Sequence, residues 1–185
     1  TTDGVLDTGS DGWLASICSV LNPECDPAQA ASPVKEVMAY VQGLQRGAPV
    51  LQMNDYILLK QYGVCAPRYD RKIGYVTFQS GVTSDRNSGK TIINRRRMAD
   101  YIQDSLAAAS AKFSKMLNTQ QKRDALLCEE DTFLGLLLSE DAPAMQRIAS
   151  YSLDDKSMNT ATAIASNIWI IKHTVKMLST FGVIV

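Results

Sequence analysis

The chain has 185 residues, 45% of them hydrophobic and 21% charged, and its 19 basic and 19 acidic side chains cancel to a formal net charge of zero. That length accommodates one domain with a real core and room for a smaller subdomain. The neutral balance creates no global field toward DNA or an anionic membrane, and no run of about 18 apolar residues offers a membrane span.

Thr1 to Ser32 is rich in Asp, Gly, Ser, Pro and Ala, and its opening, TTDGVLDTGSDGW, favours turns and reads as interior sequence. Trp13, Leu14, Ile17, Val20 and Leu21 have the spacing of a short helix. Ser32-Pro33 opens a second helix with Val34, Val37, Met38 and Val41 on one face, closing at Gly43 or Gly47. A third starts at Asn54-Asp55 and stops at Gly63. Gly74 to Phe78 is β-branched and aromatic and predicts a strand, and Lys90 to Ile93 predicts a second extended piece. From Asn94, a good N-cap, the apolar positions Met98, Ile102, Leu106, Ala109, Phe113 and Met116 predict a helix of about six turns. Asn118-Thr119 break and recap the chain, and a further helix runs to Ser139 with Leu127, Phe133, Leu134, Leu137 and Leu138 inward. After Pro143 the period changes to two. Arg147 to Leu153 alternates, as do Ile164 to Met177, with Ile164, Ile168 and Ile170 on one face and Trp169, Ile171 and Val175 on the other, and finally Phe181, Val183 and Val185. The expected fold class is α+β: two long helices packed on a mixed or antiparallel sheet, preceded by short helices.

Several stretches imitate chemistry. Gly89-Lys90-Thr91 ends like a phosphate-binding loop, which would make the chain a nucleotide-dependent assembly ATPase. However, Ser84 stands where the first glycine belongs, and the extended Ile92-Ile93 delays the helix whose dipole should face the phosphate. Leu6 to Ser10, LDTGS, copies an aspartic-protease loop, but a single copy lacks its partner carboxylate and reads as a turn. Arg95-Arg96-Arg97 opens a helix, the pattern of a nucleic-acid-binding module, yet Asp100 and Asp104 share that helix and oppose groove reading. These five residues read better as an ion-pair network within or between subunits, needed because three cations sit at the unfavourable end of the dipole. Cys18, Cys25, Cys65 and Cys128 lack paired metal-site spacing and read as reduced thiols, with Cys18 and Cys25 the pair to test for a small disulfide loop. His173, the single histidine, reads as solvent-facing or interfacial. No catalytic, cofactor-binding or metal site emerges. Charge is nonetheless segregated. Thr1 to Val34 holds five acids and no base, Lys90 to Asp124 eight bases against three acids, and Glu129 to Asp155 seven acids against Arg147. Such blocks suit contacts between unlike faces, inside one fold or between copies.

Three segments, Tyr62 to Ser84, Gly89 to Leu138 and Asn159 to Val185, resemble the C-terminal part of contractile phage tail sheath proteins, a module shared with tailocins and other contractile injection systems. INRRRMADYIQDSL after the FQSGVTS strand and turn is the most specific element. The resemblance covers residues 51–185 well, as a conserved α+β domain, and the turn-rich residues 1–50 loosely. It implies a non-enzymatic structural subunit that polymerises in stacked hexameric rings around the tail tube and contracts to drive it through the target envelope. Its implied partners are neighbouring sheath subunits, the tail tube protein, and the baseplate and tail terminator proteins, with no cofactor, no nucleic acid and no membrane insertion. The implied location is the virion tail, assembled in the host bacterial cytoplasm. Terminal arms in this family add strands to neighbouring sheets, and Phe181, Val183 and Val185 would form such a strand-exchange edge. Family members are longer and continue past FGVIV through a further arm, so the resemblance implies a piece of a subunit, monomeric or weakly associating by itself.

Overall fold

The computed structural model describes residues 9–29, 51–70, 74–85, 91–139, 141 and 145–178. The helix expected after Ser32-Pro33, residues 86–90 of the loop before the arginines, and the terminal alternation at Phe181 to Val185 lie outside them. Thr1–Ala99 and Asp100–Val185 form two units. Among the described residues the architecture is α+β, as expected, and its strands form two separate antiparallel pairs.

In the first unit, α1 (Ser10–Val20) turns Ile17 fully inward, with Trp13 and Leu14 packed against the same core. Helix α2 (Met53–Gln61) starts with a capping box, in which Gln52 N donates to Asp55 Oδ2 at 2.7 Å. It ends in a Schellman motif: Val64 N donates to the Leu59 carbonyl at 2.9 Å and Gly63 N to that of Lys60 at 3.1 Å. Gly63 holds φ +75, and a Cβ there would collide with the Thr83 carbonyl oxygen. Strand β1 (Pro67–Asp70) pairs with β2 (Tyr75–Phe78), with Arg68 opposite Thr77 and Tyr69 opposite Val76. All four β2 residues are buried, and Tyr75, Val76 and Phe78 join Ile17 and Leu21 in the core, so the strand does not show the alternation of a half-exposed one. The extended piece expected at Lys90 to Ile93 narrows to one bridge, Val82 to Ile92, because α3 (Ile93–Ala111) begins at the next residue.

In the second unit Ile102 and Leu106 continue the buried stripe of α3. The stripe does not extend to Phe113 and Met116 as helix. The chain leaves α3 in a tight turn with Lys115 at φ 65, and Met116 is half exposed. Thr119 caps α4 (Gln120–Leu138) by accepting from Lys122 N, and Ser139 closes it in the left-handed region. Leu134 and Leu137 face inward, and α4 packs on β3 (Ile148–Asp154).

Strand β3 pairs with β4 (Lys172–Met177), with Tyr151 opposite Val175 and Leu153 opposite His173. The alternation read from Ile164 to Met177 as one extended stretch is corrected in its first half. Thr160 accepts from Ala163 N and nucleates α5 (Ala161–Ala165), which contains Ile164. Local capping plus alanine's helix preference prevail there over the period-two spacing. Asn159 then closes the connection: its Oδ1 accepts from Ile170 N at 2.8 Å, and its Nδ2 donates to the Ile170 and Asp155 carbonyls at 2.6 and 2.7 Å.

Candidate assembly interface

The arginine run divides into different roles. Arg97, one helical turn into α3, points its guanidinium at the end of α1. It donates to the carbonyls of Cys18, Leu21 and Asn22 at 2.5, 2.6 and 3.3 Å. The last carbonyls of a helix have no intrahelical donor and carry its partial negative charge, so a planar five-donor cation suits that position. The cation meets backbone carbonyls here, where the sequence reading expected carboxylates. Arg95 is half-buried and Arg96 exposed, while Asp100 and Asp104 belong to the second unit. Near Arg97, Asn94 is buried and its Nδ2 donates to the Glu24 carbonyl at 3.0 Å. This ties the loop after α1 to the start of α3.

Around α1 the charge environment is dry rather than reactive. Burial raises the pKa of Asp26, whose Oδ1 accepts from Ala28 N at 2.8 Å. Burial also pushes up the thiols of Cys18 and Cys65, the latter in contact with the Val82 carbonyl. All four cysteines are free, and Cys128 is exposed.

In the second unit the sheet is fastened to α4 by two consecutive acids. Glu130 is 1% exposed. Its Oε2 lies 2.9 Å from His173 Nε2 on β4, and its Oε1 accepts from Ser110 Oγ at 3.0 Å. The next residue, Asp131, accepts at Oδ1 from the Tyr151 hydroxyl on β3 at 2.9 Å. His173 is therefore directed at a buried carboxylate, a correction to its reading as solvent-facing. Glu130 shares the inward stripe of Leu127, Leu134 and Leu137, so an acid on an apolar stripe in a chain with one histidine was the available signal. The Tyr151 to Asp131 bond left no comparable trace.

Ser110, Glu130 and His173 line a cleft of about 380 Å³. Arg123 spans its wall. Nη1 donates to Asn118 Oδ1 at 2.8 Å, Nη2 donates to Gln120 Oε1 at 2.7 Å, and the guanidinium lies 5.1 Å from the centre of the Trp169 ring. Lys112 pairs with Glu129 outside the cleft, too exposed to contribute much stability. Among the described residues no three His, Cys, Asp or Glu side chains group as metal ligands, and no helix is long and apolar enough to cross a membrane.

This arrangement of short capped helices, two long helices and a two-stranded sheet held on α4 is a fold already seen in chains of contractile injection particles. In particular, the chain matches a chain of the six-fold symmetrised baseplate of the anti-feeding prophage with a TM-score of 0.74 at 15% identity, covering 94% of this chain and 47% of that one. It matches the helical sheath of the same particle in its contracted state at 0.71 and 14% identity, covering 94% and 47%. It matches the contracted PVC sheath complex, an extracellular contractile injection system, at 0.68 and 14% identity, covering 94% and 48%. The chain thus spans about half the length of these structures. No protein-family model matches the sequence, and the search of curated proteins found no match.

Proposed function

We propose that this chain is part of a structural subunit of a contractile sheath, which polymerises around a tube and shortens to drive it through a target envelope. The observation that carries the reading is the fold likeness over 94% of the chain to sheath structures caught in the contracted state. A supporting feature is the β3–β4 pair, in which each strand has one neighbour among the described residues and so leaves a main-chain edge to which a strand from another subunit can be added. Strand addition uses backbone hydrogen bonds, and so joins subunits while permitting their bodies to rotate. Residues 51–185 are the conserved domain in this reading, and Phe181, Val183 and Val185 supply strand-exchange residues. Arg95, Arg96, Asp100 and Asp104 contribute ion pairs that change as the lattice shortens. The baseplate, tube and terminator proteins are the remaining partners, the role is non-enzymatic, and the setting is an extracellular or virion particle.

Electron microscopy of the protein as its host produces it tests this directly. Hollow striated tubes of two lengths and diameters are expected. Discrete globular particles under all assembly conditions would refute it. Charge reversal at Arg96 is expected to alter tube formation or shortening.

A further inference from the structure

The cleft lies beside the α3–α4 turn, with Ile171 and His173 among its lining, and three of its properties converge. Its lip is apolar and open: Leu117 is 83% exposed and Met116 50%, with Phe113 and Leu126 behind them. Its charge is one-sided. Among the described residues Lys115, Lys122 and Arg123 line it against a single acid, Glu130, and that carboxylate is already engaged by Ser110 and His173. Two buried N–H groups of its wall, Trp169 Nε1 and Arg123 Nε, have no hydrogen-bond acceptor among the described residues. Buried donors without acceptors are costly and uncommon in native folds.

We infer that this cleft is a docking site for a partner protein segment that presents a carboxylate between apolar side chains. Apolar side chains of the segment cover Leu117 and Met116, and its carboxylate lies against Lys122 and the guanidinium of Arg123. A shift of Arg123 across the indole opens Trp169 Nε1 and Arg123 Nε to the incoming oxygens. A basic segment is excluded by the two lysines, and a purely apolar one leaves both donors unpaired. Segment binding here is independent of whether the chain builds a sheath.

Trp13 and Trp169 are the two tryptophans, so Trp13→Phe leaves Trp169 as the only reporter. The probe is an end-blocked Leu-Glu-Leu-Glu-Leu peptide, compared with its Gln counterpart. The Glu peptide is expected to change Trp169 emission saturably, at least tenfold more tightly than the Gln peptide, and to weaken as salt is raised. Lys122→Gln, an exposed change, is expected to weaken it several-fold with an unaltered circular dichroism spectrum, and Leu117→Ser to weaken both peptides. Equal binding of the two peptides, no saturation at millimolar peptide, or indifference to Lys122→Gln would each overturn the assignment.

Discussion

His173 Nε2 lies 2.9 Å from Oε2 of a glutamate that is almost wholly shut from water, Glu130. With Ser110 on the other oxygen, the carboxylate is held from α3, α4 and β4 at once. Removing the imidazole leaves a buried carboxyl oxygen without its hydrogen-bond partner, and an unsatisfied buried polar group is costly. His173→Ala is therefore expected to lower unfolding stability by about 3 kcal/mol in urea titrations. The double change His173→Leu with Glu130→Leu should recover a large part of that loss, because neither partner is then left unpaired.

Arg97 satisfies one carbonyl in the last turn of α1 and two just beyond its end. Arg97→Met keeps the aliphatic stem and removes the donors, and is expected to cost about 2 kcal/mol, consistent with hydrogen bonds from a charged group. Arg97→Lys should restore only part, since one ammonium cannot reproduce a planar fork. Amide exchange along Ile17 to Leu21 should accelerate in both, more in the Met variant.

At Gly63 the left-handed backbone coincides with a close approach of Thr83. Gly63→Ala faces both penalties, and a loss of about 2 kcal/mol or more is expected by thermal unfolding. Gly74 also has positive φ, at 83, but a Cβ there meets no atom of the described residues within 4 Å. Gly74→Ala should cost only about 1 kcal/mol, so the difference between the two variants isolates the steric part.

The Asp154 carboxylate is held down to a pKa of about 2, chiefly by the Ser157 hydroxyl and then by the Ser157 and Lys156 amides, from an ordinary 3.8. A depressed carboxyl stabilises the fold fully above its unfolded pKa, and that contribution fades as pH falls through the folded value. The turn after β3 should therefore loosen between about pH 4 and pH 2. Carbon-detected NMR titration of Asp154 should give a midpoint near 2, and Asp154→Asn should remove the pH dependence of the Lys156 and Ser157 amide shifts.

The elements that periodicity revealed were those whose burial is governed by one face. Met98, Ile102 and Leu106 mark α3, and Leu134 with Leu137 mark α4, because each helix has a single apolar stripe. Periodicity fails where few residues decide the outcome. Strand β1 is Pro-Arg-Tyr-Asp with an exposed centre, carries no apolar signal, and exists through its pairing with the buried β2. Phe113 and Met116 keep helical spacing although the chain has already turned at Lys115. The arginine run announced a need for compensation, but nothing local indicated that Arg97 would find it 75 to 79 residues earlier, on carbonyls that no side-chain pattern encodes.

Glu130 and Asp131 are neighbours on α4, yet one grips β4 and the other β3. Neighbouring helical residues point about 100° apart, so the pair straddles the two strands like rivets on either side of a seam. Tension on either strand reaches the helix through its own fastening, without passing first through the bonds between the strands. Load on either strand is in this way shared with α4 as well as with the partner strand.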